Sequence, residues 1–285
     1  MGTDVELAII GAGRCGRTLG RLALRSGWRI GAVTCRTMAH ARDAAAFIGA
    51  GRPTTRPEGA ALTLIAVPDA EIEGVARELR LPPGGVAAHT CASFDAEVLR
   101  PLRPAGAVHP LRSFADPKAA SARFPGTACA IDGDPAALRV LRRFVRAIGG
   151  DPLRVKRGRK ALYHAGAVFA SNYVVTVLNA ALSLLVEAGV KGPGALKALT
   201  ALAEGTLSNI GALGIPGALT GPIERGDART LRRHVAALRS RLPRLVPAYG
   251  ALGSLTIDLA VEKGSVDRRT ASGLAAVLGS SERSR

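Results

Sequence analysis

The glycines of Gly11-Ala-Gly13-Arg14-Cys15-Gly16 have the types and spacing to hold a diphosphate. An apolar run over residues 5–10 leads into them, and a helix-forming stretch opens directly behind. Gly11 permits the tight turn from strand to helix, Gly13 lets a pyrophosphate approach bare backbone, and Gly16 lets the helix pack close to the strand. A helix start also presents unpaired N–H groups and the positive end of the dipole. Arg14 and Cys15, inside the fingerprint, join the cofactor-binding set, and Arg14 has the reach to meet a phosphate oxygen.

Residues further along select the dinucleotide. An acid at the end of the second strand would bond a ribose 2′-hydroxyl, whereas an arginine accommodates a 2′-phosphate. The chain has Thr34-Cys35-Arg36-Thr37 there and no carboxylate until Asp43. The planar fork of Arg36 and the hydroxyl of Thr37 favour NADP(H), as NADPH, over NAD(H). Val67-Pro68-Asp69 ends another strand; it brings Val67 and Pro68 to the cofactor and lets Asp69 cap the next helix.

Proton chemistry needs titratable groups near that ligand. At about 100° per residue, Lys160, His164 and Ser171 share one face of a long helix, with Asn172, Asn179 and Ser183 on an adjoining strip. Polar groups on an apolar helix need partners, either a ligand or a neighbouring helix. His89 and His109 each end a strand, where parallel sheets line their ligand crevice. Either ring serves as a proton donor or oxygen ligand, or closes a loop by a hydrogen bond. In Thr220-Gly-Pro-Ile-Glu224-Arg225-Gly-Asp227, Arg225 can clasp a substrate carboxylate in a bidentate pair, and Asp227 reads as a helix N-cap.

The elements that must position these groups alternate in the first half. Apolar runs at 5–10, 28–34, 61–67, 85–89 and 105–108 flank helical patterns at about 14–26, 38–49 and 69–80, which predicts βαβ units and a largely parallel sheet. Strands near 129 and 151–155 enclose a helix over 135–147, started by Asp134 as N-cap and Pro135 at its first position. After residue 156 everything reads helical: 159–188, 193–210, 227–240, 244–263 and 267–278. Two domains are expected, 1–155 for the nucleotide and 156–285 for substrate and dimerisation, with the substrate in an interdomain cleft.

Composition narrows the partners. Of 285 residues, 47% are hydrophobic, and the formal charge is +17 from 39 basic and 22 acidic side chains. Only six of the basic residues are lysines, and the arginines are spread along the chain without aromatic interleaving. A basic field of that kind suits an anionic cofactor and a small anionic carbonyl or imine substrate, and argues against nucleic acid. Cys15, Cys35, Cys91 and Cys129 lack metal or disulfide spacing, so no metal is expected and a cytoplasmic location is. Residues 161–186 carry no formal charge and are long enough to span a bilayer. Their polar residues point instead to a buried central helix, with no membrane contact.

Three stretches together carry a family resemblance: Lys160-Ala-Leu-Tyr-His164-Ala-Gly-Ala-Val-Phe-Ala-Ser171-Asn172-Tyr173, Val108-His109-Pro-Leu-Arg-Ser-Phe114 and Leu219-Thr220-Gly-Pro-Ile-Glu-Arg-Gly-Asp227. Over nearly its whole length the chain resembles a family of oxidoreductases that join a Rossmann-like domain to a C-terminal domain of formerly unknown function. That family resembles the 6-phosphogluconate-dehydrogenase-like superfamily, with ketopantoate and pyrroline-carboxylate reductases as relatives. The resemblance implies an α/β Rossmann-type doubly wound sheet followed by an all-α domain, a homodimer through the helical domain, and a role in pantothenate synthesis. Ketopantoate reductases carry a lysine and an asparagine four residues apart on the first helix of the second domain. Here the fourth residue after Lys160 is His164, with Asn172 two turns on, so the proton donor is Lys160 or His164. Family sequences tend to show His-Thr-Ser-Gly where this chain has His89-Thr-Cys91-Ala, so a small donor is missing beside His89.

These readings lead to an NADPH-dependent reductase of a small, ketopantoate-like 2-oxo acid, acting by hydride transfer, with Arg225 or Arg112 holding the carboxylate. The alternatives are a non-catalytic NADP(H)-sensing or scaffolding dimer, and an imine or deazaflavin-linked NADP reductase.

Overall fold

Short apolar runs that must be covered on both faces make the strands of the first half. A computed structural model describes residues 3–190 and 192–279. In chain order come β1 (Thr3–Ile10), α1 (Arg14–Arg25), β2 (Trp28–Thr34), α2 (Met38–Ile48), β3 (Arg52–Thr54) and β4 (Leu62–Ile65). A 3-10 turn, Asp69–Glu71, leads to α3 (Ile72–Glu78), β5 (Val86–His89) and, after a second turn at Ala96–Leu99, β6 (Ala105–Pro110). Then follow α4 (Pro117–Ala122), β7 (Ala128–Gly133), α5 (Pro135–Ala147) and β8 (Asp151–Arg154). The helices that complete the chain are α6 (Lys160–Ala170), α7 (Asn172–Glu187), α8 (Pro193–Ala218), α9 (Ala228–Arg241), α10 (Val246–Glu262) and α11 (Arg268–Gly279).

The eight strands lie in the order β3-β2-β1-β4-β5-β6-β7-β8, parallel throughout except for the antiparallel pair β6–β7. The order in which strands are added therefore reverses at β1, with β2 and β3 on one side and β4 onward on the other, and this switch point opens a crevice at the carboxyl ends of the parallel strands. Period-two alternation divides the core. Leu7, Ile9, Leu62, Leu64, Val86, Ala88, Val108 and Ile131 face α1, α2 and α5, where Trp28 meets Phe144 edge to face at 5.3 Å. Ile10, Ile65, Ala87 and Ala105 face the opposite way, under α3 and the turn at Leu99. Each large side chain buried in these layers contributes about 1.5–3 kcal/mol.

The chain separates into two units, Met1–Asn172 and Tyr173–Arg285. Helix α6 belongs to the first, so the border expected after residue 155 falls inside that unit. The second unit has its own core, in which Leu231 and Val235 of α9 meet Ile257 and Ala260 of α10 and Leu274 and Leu278 of α11. Gly253 allows the close approach of α10 to α11, since a Cβ there would stand 2.6 Å from Leu278.

Several expectations need correction. The single helix over 159–188 is two, broken at Ser171, whose φ of −129° and ψ of −69° leave the helical region. Nor is it a buried central rod. Lys160 is the one buried residue of α6, α7 has none, and the apolar window of Lys160–Glu187 is long enough to cross a membrane yet 0% buried within the chain. The helix expected to stop at 210 runs on to Ala218, with a kink at Gly214 ahead of Pro216. Strand β3 escaped notice because its three residues, one a proline, are too short for a period. Pro135 does start α5, but the Asp134 side chain is no cap: its Oδ2 accepts from the Ala105 N–H at 2.8 Å and its Oδ1 from Arg103 at 2.5 Å. Asp69 likewise starts a 3-10 turn without capping it through its side chain.

Candidate functional site

A cleft of about 470 Å³ lies at the switch point, lined by Gly11, Gly13, Arg17, Arg36, Val67 and Pro68 among others. The three glycines differ in what makes them necessary. Gly11 has φ +84°, and a Cβ there would meet Val67 Cγ1 at 2.6 Å and the Ala66 carbonyl oxygen at 2.7 Å. A Cβ on Gly16 would stand 2.5 Å from the carbonyl oxygen of Gly11. The chain's own backbone thus accounts for both. Gly13 meets nothing within 4 Å, so no packing among the described residues requires it, and its bare backbone leaves that part of the cleft open to a ligand. It is also the N-cap of α1, whose first turn holds no acid and leaves its leading N–H groups to an external acceptor. The residues present fit a dinucleotide diphosphate.

At the other end of the cleft the wall is basic. Arg36 lines it with its side chain 84% exposed, and among the described residues it is held by an ion pair to Glu71 at 3.8 Å alone. His40 and Arg17 line it too. Arg17, which the sequence reading passed over for Arg14, donates from Nε to the Ala12 carbonyl and pairs with Asp43 at 3.0 Å. Arg14 is exposed and does not line the cleft. Cys15 packs against the core, and burial pushes its thiol up to about 12 against a lowering hydrogen bond with Thr90. Thr37 caps α2, its hydroxyl accepting from the His40 N–H at 3.3 Å. Of the expected cofactor residues, Gly11, Gly13, Arg36, Val67 and Pro68 line the cleft and Arg14, Cys15, Gly16 and Thr37 do not, while Arg17 joins the lining.

A second cluster stands at the same strand ends. His89 and His109 alternate with residues of the α1–α2–α5 side, so they project from the opposite face, as does Asp132 of β7. His89 is fully buried; its Nδ1 accepts from the Cys91 N–H and its Nε2 donates to the Asp95 carbonyl, both at 3.2 Å. That is the loop-closing role, and burial, with help from the charge of Lys160, drives its pKa down to about 4. His109 Nδ1 is hydrogen-bonded to the Tyr163 hydroxyl at 2.8 Å, and its ring stands 6.4 Å from that of His164. Its pKa also falls to about 4, through burial first, then through Lys160 and His164.

Lys160 is the most informative member. It is 1% exposed, and among the described residues its Nζ finds no hydrogen-bond partner, as His164 Nδ1 finds none. Burial lowers the Lys160 pKa, while the charges of Asp132, Cys91 and Asp95 oppose the shift. Trp28 Nε1 and Asp95 Oδ1 are likewise buried without a partner among the described residues, and of the four, Lys160 and His164, one helical turn apart at the strand ends, are the pair suited to meet a ligand. Tyr163, one helical turn beyond Lys160, was missed because a tyrosine on an apolar helix carries no signal of its own.

Ser171 is the break between α6 and α7, and Asn172 is an exposed first residue of α7. Arg112 gives its Nε to Thr127 Oγ1 at 2.8 Å. In the second unit, Arg225 is exposed, Glu224 pairs with Lys263 at 3.0 Å, and Asp227 caps α9 by accepting from the Thr230 N–H at 2.9 Å. Of the sequence face shared by Lys160, His164 and Ser171, the first two stand in the cluster with His109 and the third is a helix break.

Comparison with known proteins agrees with this architecture. Residues 2–113 match the model of the Rossmann-like domain, and residues 127–256 match the domain of unknown function DUF2520. No curated protein matches the sequence. Among solved structures, protein TM1727 of Thermotoga maritima is 23% identical, with a TM-score of 0.69 over 97% of this chain and 100% of its own. Protein BF3122 of Bacteroides fragilis, provisionally described as an NADP oxidoreductase, is 22% identical, with a TM-score of 0.72 over 90% and 98%. The 1-pyrroline-5-carboxylate reductase of Streptococcus pyogenes is 13% identical, with a TM-score of 0.61 over 95% and 98%. At these identities the likeness is one of fold.

Proposed function

We propose that this chain, a Rossmann-like domain followed by a DUF2520 domain, is an NADPH-dependent reductase of a small anionic 2-oxo acid resembling ketopantoate. The observation that carries the reading is the orphaned, buried Nζ of Lys160 beside His109 and His164, at the same strand ends as the glycine turn. When bound, the reduced nicotinamide supplies the hydride. The backbone at Gly13 and the start of α1 hold the diphosphate, and Arg36 and Arg17 favour a 2′-phosphate. Lys160, its pKa lowered by burial, delivers the proton to the carbonyl oxygen, and positive charge in a dry site stabilises the oxygen as it becomes negative. The names of the Bacteroides and Streptococcus proteins support a reductase, the latter an imine reductase, so cyclic imino acids belong in the substrate panel.

The same reading has a second copy cover α7 and α8, and needs neither membrane nor nucleic acid. Val175 and Leu202 are each 69% exposed, and the face between residues 161 and 186 is uncharged in a chain of net charge +17. Such a face is matched without like-charge repulsion by a copy of itself. Four free thiols suit the reducing cytoplasm.

The near-complete burial of Lys160 favours a second reading, binding of NADP(H) without turnover. Single-turnover NADPH oxidation with ketopantoate decides between them. Lys160→Ala and His164→Ala are measured separately, and loss of the proton donor should slow the step about 100-fold or more. Unchanged rates in both variants would remove the donors. No acceptor-dependent oxidation in the parent, despite NADPH binding, would support the sensor.

A further inference from the structure

We infer that Tyr163 is a positioning residue that locks His109 as a neutral imidazole with its proton on Nε2, making His109 a hydrogen-bond donor to the reacting oxygen or nitrogen rather than an acid. The geometry decides the direction of the Tyr163–His109 bond. Among the described residues, the Tyr163 hydroxyl has His109 Nδ1 as its one hydrogen-bond partner, 2.8 Å away. A half-buried phenol that accepted from Nδ1–H would leave its own hydrogen without an acceptor in the chain, so the hydroxyl donates and Nδ1 accepts. A neutral ring with Nδ1 as acceptor carries its proton on Nε2, and that nitrogen makes no hydrogen bond to the described residues.

The surroundings keep the ring neutral. Burial opposes a positive charge on His109 most, followed by the charges of Lys160 and His164 from α6; Asp69, at the turn after β4, acts the other way, and His89 from β5 opposes the charge least. Burial also holds the Tyr163 hydroxyl protonated by raising its pKa to about 12. Hydrogen bonding to the neutral form of a histidine disfavours the charged form, so the Tyr163 contact works in the same direction. Lys160 remains the source of the proton, and His109 orients and polarises the acceptor without itself changing charge. The tautomer rests on the Tyr163 hydrogen bond together with the neutrality that burial and Lys160 impose on the ring, whereas its catalytic consequence rests on the reductase reading.

Imidazole nitrogen NMR of the ¹⁵N-labelled full chain, with the signals assigned through His109→Gln, tests the tautomer without any substrate. His109 should be neutral and protonated on Nε2 at pH 7, with a midpoint near 4. Tyr163→Phe, which removes one oxygen, should mix the tautomers and move the midpoint toward the ordinary 6.5. A cationic ring at pH 7, a ring protonated on Nδ1, or an unchanged tautomer in Tyr163→Phe would each overturn the assignment. Should the variant not fold, the parent spectrum still decides. With an acceptor in hand, Tyr163→Phe should lower kcat about tenfold, leave KM and NADPH affinity within about twofold, and raise the acid limb of the kcat profile. An intact NMR signature without turnover would indict the reductase reading and spare the tautomer.

Discussion

At the scale of single residues, the ion pair between Arg36 and Glu71 says most about coenzyme choice. It spans 3.8 Å between side chains 84% and 39% exposed, and such surface pairs contribute at most about 1 kcal/mol. Arg36 is therefore free to exchange Glu71 for a phosphate, whose bidentate geometry gives a stronger bond than a lone carboxylate at the edge of contact. Asp43, the first acid after β2, stands in the middle of α2, pairs with Arg17 at 3.0 Å and is not among the residues that line the cleft. Arg36→Glu should weaken NADPH about 10–100-fold and NADH by less than about threefold, read by titration calorimetry. Equal losses for both coenzymes would remove Arg36 from the 2′-phosphate.

At the scale of elements, the turn from β1 into α1 does two separable things. Gly11 and Gly16 let the strand, the loop at Ala66 and the helix approach within a bond's reach of one another, which is a matter of folding. Gly13, at φ −70°, has a backbone any residue adopts and open space where a side chain would grow. Gly13→Val should cost about 1 kcal/mol or less in urea denaturation while lowering coenzyme affinity more than tenfold. Gly11→Ala, with a positive φ and two clashes, should cost about 2–4 kcal/mol. A Gly13→Val variant that binds NADPH normally would empty the cleft of its proposed ligand. Helix α6 shows the opposite division: its sequence face was legible, but Ser171 ends it and the sheet claims its first turn.

At the scale of the whole molecule, α7 and α8 are apolar helices that bury almost nothing within their own chain. Apolar faces of that extent are rarely left to water. Sedimentation equilibrium should give twice 29.3 kDa at micromolar concentration, and Val175→Glu with Leu202→Glu should halve the mass. A parent that sediments as a monomer would rule out the second copy.

The order of strands and helices, the glycine turn and the basic end of β2 were legible in the sequence, because each rests on local rules: period, turn geometry and the charge of one side chain. Sequence spacing also brought Lys160 and His164 together. Only the tertiary structure decided that Tyr163 meets His109 across 54 positions, that Lys160 is buried without a partner, and that His89 closes a loop. It also turned an expected buried rod into two exposed helices. The reason is physical: which groups are desolvated, and which hydrogen bonds they find there, depends on strands and helices far apart in the chain, and no window of neighbouring residues contains that information.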